Sequence, residues 1–559
     1  MQFIKSALRL IVFFLPVFGY SQSVTIPQGS KFQQLLDRME IREQTNLPLN
    51  VSSGLKPNNR KLVTLEAAGL DSLKGSMQYT PVDLYNIERL LINNQEWVQR
   101  DSGRFASRHS WWRTFYKTPS DFIQVDEKDF FLVVNPIFQF QQSKEADIDD
   151  RIFLNSRGAM ARGLIAGKVG FDFYLTENQE RMPLFVREIV QKNGAVPGAG
   201  FYKPFKTTGY DYIDGRGSVY FSAAKYIHLQ FGYDKNFIGN GYRSLFLSDF
   251  ANSALFLKIN TRIWKLDYQN LFMELVPQYR KQGDDLLPRK YMASHHLSLQ
   301  ATKWLNIGLF ESVIFGRQDR FDFTYLNPVI FLRLAEQQAG SPDNALVGLD
   351  FKANIAKRFQ LYGQLLIDEF KLSEIRSGNG WWANKFGIQA GAKYIDAFGV
   401  RNLDLQGEVN VVRPFTYSHS DSVANYTHYN QPMAHPLGAN FAEAIGIIRY
   451  QPLRKWYGQI RVIGFRQGRD TADNNNGTNI FLPYGSRAMD YGYKIGSGVK
   501  TNGVNASLWI GYELRENLFI DASFLHRKLS AEGVAALSPK TTVFTLGLRL
   551  NMSRKEYDY

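Results

Sequence analysis

The chain reads as an all-β transmembrane antiparallel β-barrel of about 18 strands with a small, mainly helical N-terminal domain. Three observations predict this. Segments of bilayer-crossing length alternate apolar and polar residues, and the connections between them alternate short and long. No stretch after the N-terminus has the run of 18 or more apolar residues that a membrane helix needs. Composition agrees: mean hydropathy is −0.29, yet 14% of residues are aromatic and 45 are glycine. Strands that alternate their hydrophobicity hide it from such an average, and rims carry aromatic girdles.

Residues 1–21 read as an export signal. Lys5 and Arg9 precede the apolar run Leu10 to Phe18, and Gly19 and Ser21 are small enough for cleavage before Gln22. The run is too short to span a bilayer. The absence of cysteine excludes a lipid-bearing cysteine and any disulfide. The net charge of +14 becomes about +12 once Lys5 and Arg9 leave with the signal. A basic exported protein meets outer-membrane lipopolysaccharide or acidic glycans, not nucleic acid.

Residues 22–128 form the helical domain, placed on the periplasmic side where it can close the barrel mouth. Ser30 is suited to cap a helix carrying Phe32, Leu35, Leu36, Met39 and Ile41. Thr80-Pro81 opens another, with Pro81 at the first helical position and Val82, Tyr85, Leu90, Trp97 and Val98 following. Trp111-Trp112 fit either the membrane interface or ordinary core packing.

Residues 129–552 form the barrel, and 553–559 a C-terminal tail. Alternation is clearest in the hairpin 345–357 and 359–368. There Val347, Leu349, Phe351, Ala353 and Ile355, then Phe359, Leu361, Gly363, Leu365 and Ile367, share one face. Leu365 thus faces lipid and Gln364 the lumen. Leu403 to Val411 and Phe544 to Leu550 repeat the pattern. Strands are predicted over 129–143, 151–165, 168–176, 215–224, 226–234, 255–264, 266–276, 291–302 and 305–316. After the hairpin come 385–395, 401–412, 440–450, 456–467, 491–514 (long or broken), 517–529 and 541–552. Long connections cover 177–214, 235–254, 317–344, 369–384, 413–439 and 468–490; those between them are short. Short periplasmic turns and long outer loops are the habit of outer-membrane barrels.

Two long loops stand apart. One reads Asp234-Lys-Asn-Phe-Ile-Gly-Asn-Gly-Tyr-Arg-Ser-Leu-Phe-Leu-Ser-Asp249. The other runs Phe315-Gly-Arg-Gln-Asp-Arg-Phe-Asp-Phe-Thr-Tyr-Leu-Asn-Pro-Val-Ile-Phe-Leu-Arg-Leu-Ala-Glu336 and continues into 340–350. With Leu36 to Ile41 and Ser53 to Pro57, they resemble the capsule-assembly Wzi family, in the branch that includes the gliding-motility protein RemB of the Bacteroidetes. The resemblance implies an integral outer-membrane barrel with a periplasmic helical segment that holds surface polysaccharide. For the gliding branch it implies a role in motility and adhesion.

The loops offer what a glycan site needs. Arg243, Arg317, Arg320 and Arg333 can grip carboxylates or phosphates with paired donors. Asp249, Asp322, Asn327, Glu336 and Asn344 suit hydroxyls, and Tyr242 and Tyr325 give flat faces for sugar rings. The same residues fit a second reading, in which the loops fold inward and brace the lumen against Asp350, Glu408 or Arg461. Phe201 to Lys206, Tyr210, Tyr212 and Trp381-Trp382 suit sugar stacking, a protein partner or rim anchoring.

Other chemistry is weakly signalled. His295 and His296 point to opposite faces of a strand and cannot share a metal. Asp147, Asp149 and Asp150, and Asp473 to Gly477, lack the full calcium-loop pattern and read as solvated turns. Lumen carboxylates leave a glycosidase pair open by composition, but no nucleophile elbow, zinc signature or phosphate loop is present. The expectation is a barrel without enzymatic activity or cofactor that attaches or assembles capsule or exopolysaccharide. Its partners are then outer-membrane lipid, lipopolysaccharide, acidic surface polysaccharide, and gliding or secretion machinery. A diffusion porin, or a barrel component of a secretion or adhesin complex, is the alternative.

Overall fold

The computed structural model describes residues 24–44, 54–72, 79–98, 105–107, 114–279, 285–329, 331–340, 342–471, 473–533 and 538–559. The export signal, Ser53 and Trp111-Trp112 lie outside the described residues.

Twenty strands share one closed antiparallel sheet. Ile123–Glu127 and Lys203–Phe205 each flank a single neighbour, which leaves 18 to close the barrel. In chain order these are β1 (Phe130–Glu145), β2 (Ile152–Ile165), β3 (Val169–Arg181), β4 (Gly209–Ala224), β5 (Ile227–Asp234) and β6 (Ala254–Ile263). Next are β7 (Leu266–Leu275), β8 (Lys290–Gln300), β9 (Leu305–Phe315), β10 (Asn344–Ile355), β11 (Phe359–Glu369) and β12 (Lys385–Tyr394). The last are β13 (Leu403–Val412), β14 (Phe441–Tyr450), β15 (Trp456–Arg469), β16 (Val499–Arg515), β17 (Leu518–Ala531) and β18 (Lys540–Leu550), and β18 pairs with β1.

Register follows the alternation. Leu349 stands opposite Leu365 and Asp350 opposite Gln364. The outward set is exposed: Leu309, Leu349, Ile388, Val409, Ile460 and Leu546 are each 44–53% accessible. Their inward neighbours Asp350, Gln364, Gln389 and Asn410 are buried. Apolar outside and polar inside is the reverse of a soluble barrel and the arrangement a bilayer selects. The rim at the short turns carries exposed Tyr226, Trp264, Trp304, Phe359, Phe398 and Trp456, an aromatic girdle of the kind found at a lipid–water boundary. Ala356 and Lys357, both at positive φ, make the tight turn between β10 and β11.

Three expectations need correcting. β3 and β4 extend beyond their predicted ends, so the connection runs over 182–208 and contains α4 (Leu184–Asn193). β16 starts at Val499, because residues 491–498 belong to the preceding loop. Ser30 is not the cap of the first helix, whose N-cap is Lys31 with no side-chain capping bond.

The N-terminal unit has α1 (Phe32–Glu43), α2 (Arg60–Ser72) and α3 (Pro81–Ile92). Thr80 and Asp83 form a capping box at α3, with Pro81 in the first turn. Leu36, Met39, Val63, Ala67, Ile87 and Leu90 make its core. α2 had no counterpart in the sequence reading. The unit docks on the short-turn end through charge: Lys31 meets Glu513 at 2.5 Å and Glu516 at 2.6 Å. Lys393 meets Asp37 at 2.9 Å, and the buried Lys352 of β10 meets Glu40 at 3.1 Å.

Candidate functional site

The lumen is filled from both ends and from the chain terminus. The loop 235–253 turns inward, because its backbone finds acceptors on the wall. The Tyr242 and Arg243 amides donate to Glu408 at 2.6 and 3.0 Å, and the Leu245 amide donates to Gln364 at 2.8 Å. The loop 413–439 follows it. Tyr417 and Tyr426 hydroxyls donate to the carbonyls of Leu245 and Phe246 at 2.8 and 2.7 Å. Phe246, Phe256, Phe310, Tyr417, Tyr426 and Met433 then form an apolar core inside the barrel.

The C-terminal tail completes this interior. Asp558 receives Arg243 Nη1 at 3.0 Å and the Tyr242 hydroxyl; its carbonyl receives Arg243 Nη2 at 2.5 Å. Arg461 of β15 donates to the Tyr242 hydroxyl at 2.5 Å and to Glu556. Tyr557 donates to Glu180, which also accepts from Tyr212 at 2.6 Å. Arg243 lies 3.8 Å from Glu443, whose carboxylate meets His435 at 2.7 Å. Burial pushes the Asp558 carboxyl up, but Arg243 and Arg461 outweigh it and hold it at about 2.

The loop 316–343 goes elsewhere. It lies against the outside of the wall formed by β7, β8 and β9. Tyr325 and Leu332 bury themselves on the outward residues Phe272, Tyr291, Val313 and Phe315. Beneath them Tyr268 and Asn270 donate to the Pro328 carbonyl at 2.7 and 3.3 Å. The Leu332 amide, opening α5 (Leu332–Gln338), donates to Glu311 at 3.0 Å. Phe323, Val329, Phe331 and Leu334 face away from the wall and are 50–85% exposed.

The predicted residues therefore divide. Tyr242 and Arg243 sit in the lumen network. Asp249 is exposed, with its carbonyl accepting from Lys235 at 2.9 Å. Asn344 points inward and donates to the Ala424 carbonyl at 3.0 Å. Arg317, Arg320, Asp322, Tyr325, Asn327, Arg333 and Glu336 belong to the outer-wall flap. Arg317 forks onto Asp343 at 2.7 and 2.6 Å, where Tyr325 also donates, and Asp322 caps Thr324. Asn327 caps the Val329 amide, Arg333 pairs with Glu336, and Arg320 is exposed. Arg243 and Arg333, offered by the sequence for one glycan site, do not converge, because one loop turns into the lumen and the other lies against the outer wall. Tyr210 and Tyr212 are buried, not displayed, because they pack among α4 and the tail.

Trp381 and Trp382 stand at the long-loop mouth. Trp382 lies 4.7 Å from the Tyr484 ring, with the Arg487 guanidinium 4.0 Å above its own. Phe415 meets it edge-on at 6.1 Å, and Lys371 stands 5.4 Å from Trp381. Both tryptophans remain half-accessible. A cation beside flat aromatic faces is suited to an acidic sugar. Tyr484 and Arg487, far from the Trp pair in the chain, were not recognised from sequence, since only the fold joins their loops.

The minor candidates are engaged otherwise. His295 pairs with Glu311 and His296 with Asp350, on opposite faces of β8. Asp150 pairs with Arg187 at 2.8 Å. In the 470–479 turn Asp470 accepts the amides of Asn476 and Asn479 at 2.6 and 2.7 Å. Among the described residues no group of three metal-ligating side chains forms.

These features define a closed, internally plugged barrel with a lipid-suited exterior. No protein-family model matches the chain, and no curated protein does. Among solved structures it is similar to Wzi, an outer-membrane protein involved in group 1 capsule assembly in Escherichia coli and a carbohydrate-binding β-barrel. The TM-score is 0.55 at 12% identity, covering 96% of this chain and 100% of that one. Pseudomonas aeruginosa OprD gives 0.41 at 12% identity, covering 75% of this chain and 94% of that one. Acinetobacter baumannii OccAB2 gives 0.43 at 9%, covering 75% and 97%. At these identities the likeness to Wzi is one of fold.

Proposed function

We propose that the chain is a non-enzymatic outer-membrane barrel that attaches or assembles acidic surface polysaccharide, with the long loops outside and the helical unit in the periplasm. One observation carries this reading: the lumen is occupied by the helical unit, two inward loops and the terminal tail, which suits an anchor and not a diffusion pore. Wzi, similar in fold across nearly the whole chain, is described as carbohydrate-binding, and this supports the substrate class. Trp381, Trp382, Tyr484 and Arg487 are the residues that would meet the glycan, and a role in gliding or adhesion would follow from surface polysaccharide held there. Purified protein in detergent should bind a uronic-acid polysaccharide, and Trp382→Ala and Arg487→Gln should each weaken that binding about tenfold without changing the heat-modifiable folded band. Conductance of porin size in planar bilayers, with no glycan binding, would favour the porin reading.

A further inference from the structure

A second polar site lies at the other end of the lumen, where the helical unit meets the wall. A cavity of about 50 Å³ is lined by Tyr220, His228, Gln230, Lys258 and Arg262 from β4 to β6 and by Asn59 at the start of α2. Lys258 faces it from the middle of β6, opposite Gln230. Lys258 is 4% exposed, and among the described residues it makes no ion pair within 4 Å and no hydrogen bond; the Asp234 carboxylate acts on it only from beyond that distance, and its ammonium stands 5.1 Å from the Phe256 ring. Arg262, two steps of the alternation further toward the short-turn rim, has its Nε 3.2 Å from Asp267, but its buried Nη1 has no acceptor. The cavity thus brings together a buried ammonium, a guanidinium with a spare N–H and side-chain amides; the Tyr220 hydroxyl donates to Asp172 at 2.5 Å, and no carboxylate lines the cavity itself.

A buried ammonium with no acceptor in contact is expensive to hold and normally finds one. We infer that this cavity is a binding site for one small oxyanion, of phosphate or lone-carboxylate size, held between Lys258 and Arg262 and bridging the helical unit to the barrel wall. The volume suits three or four water-sized atoms, enough for one tetrahedral oxyanion and too little for a sugar ring. The ligand is therefore a free solute, and the site is independent of the glycan reading at the opposite mouth. Thr25, whose hydroxyl lies 3.1 Å from that of Tyr220, shows how closely the helical unit already follows this part of the wall.

The test uses the full-length folded protein in detergent, free of glycan, with inorganic phosphate as the probe and chloride at matched ionic strength and pH as the reference. Phosphate should raise the midpoint of thermal unfolding along a saturable curve and broaden its own ³¹P resonance. Lys258→Met and Arg262→Gln should each weaken the apparent affinity about tenfold or more, and Lys258→Arg should retain most of it. A shift that grows without saturating is the general effect of an excluded salt and would overturn the site. So would an unbroadened ³¹P line with the wild-type protein, a measurement that does not depend on either variant folding. Full affinity in both variants would overturn it as well.

Discussion

His295 Nδ1 and Glu311 Oε1 lie 2.8 Å apart on the outward face of the barrel wall. Glu311 shares that face with Leu309 and stands opposite Val347, both exposed as lipid-facing residues should be. A histidine–carboxylate pair is costly there unless covered. The cover is the flap 316–343, whose Leu332 amide donates to the same carboxylate at 3.0 Å. Glu311→Leu removes the acceptor from both His295 and Leu332, a loss of about 1–3 kcal/mol. Hydrogen exchange in α5 should accelerate while that of β9 and β10 does not. Unchanged protection of α5 would show that apolar packing alone holds the flap.

The tail supplies a prediction in pH. Asp558 titrates at about 2, below its ordinary 3.8, so its docking energy is fully present above pH 4 and is lost as pH falls through 3.8 toward 2. Single-barrel conductance should therefore rise across that interval. Asp558→Asn should conduct more than wild type already at pH 7 and lose the acid step. Deletion of residues 553–559 should do the same. An Asp558→Asn barrel as tight as wild type at pH 7 would mean the helical unit and inward loops seal the lumen without the tail.

Leu365 and Gln364 are neighbours on opposite faces of β11. Leu365→Arg puts a charge toward lipid and should cost roughly 2–4 kcal/mol near the midplane. Periodicity alone makes Gln364→Arg a cheap lumen change. The structure revises this: Gln364 accepts the Leu245 amide at 2.8 Å and donates to the Ile238 carbonyl at 3.1 Å. The substitution should cost about 1–3 kcal/mol and loosen the inward loop. Denaturant unfolding of both variants in detergent, with protease cleavage within 235–253, separates the two effects. A Gln364→Arg barrel with an uncleaved loop and unchanged midpoint would contradict the bridging role.

How much was legible follows from the physics of each part. A period of two is local, so β13 was evident from Leu403, Leu405 and Val409 against Asp404, Gln406 and Glu408, and its observed range differs by two residues at one end. The direction a long loop takes is not local. Residues 316–343 hold arginines and tyrosines as 235–253 do, yet one loop enters the lumen and the other descends the wall. The usable signal lay in the strands: His295 and Glu311 interrupt an outward row where lipid calls for apolar side chains. Residues 553–559 read only as a C-terminal tail, because their charges mean little until Arg243 and Arg461 stand opposite. The mouth cluster joins Trp382 to Arg487 from separate loops, and no spacing announces that.

The last prediction concerns the ion pairs that seat the helical unit. Arg38 of α1 is 3% exposed and reaches Asp83 with Nε at 2.7 Å and Nη2 at 3.0 Å. It also meets Asp396 at 3.0 Å, in the short turn between β12 and β13, and Asp404, at the start of β13. Burial pushes the Asp83 carboxyl up, but Arg38 and Arg42 outweigh it and hold it below the ordinary range. Arg38→Met leaves Asp83 and Asp396 with Arg42 as their remaining cation, removes the cation paired with Asp404, and should destabilise the docked unit by about 3–5 kcal/mol. Arg157 and Glu177, paired at 3.0 Å but 60% and 44% exposed, give the contrast: Arg157→Gln should leave stability unchanged. The measurement is limited proteolysis of the folded protein in detergent, reading cleavage within 24–98 against an intact barrel fragment. Rapid loss of the helical unit from Arg38→Met alone is the expected pattern. Equal resistance in both variants would mean that apolar burial, not this charge network, holds the unit in the mouth.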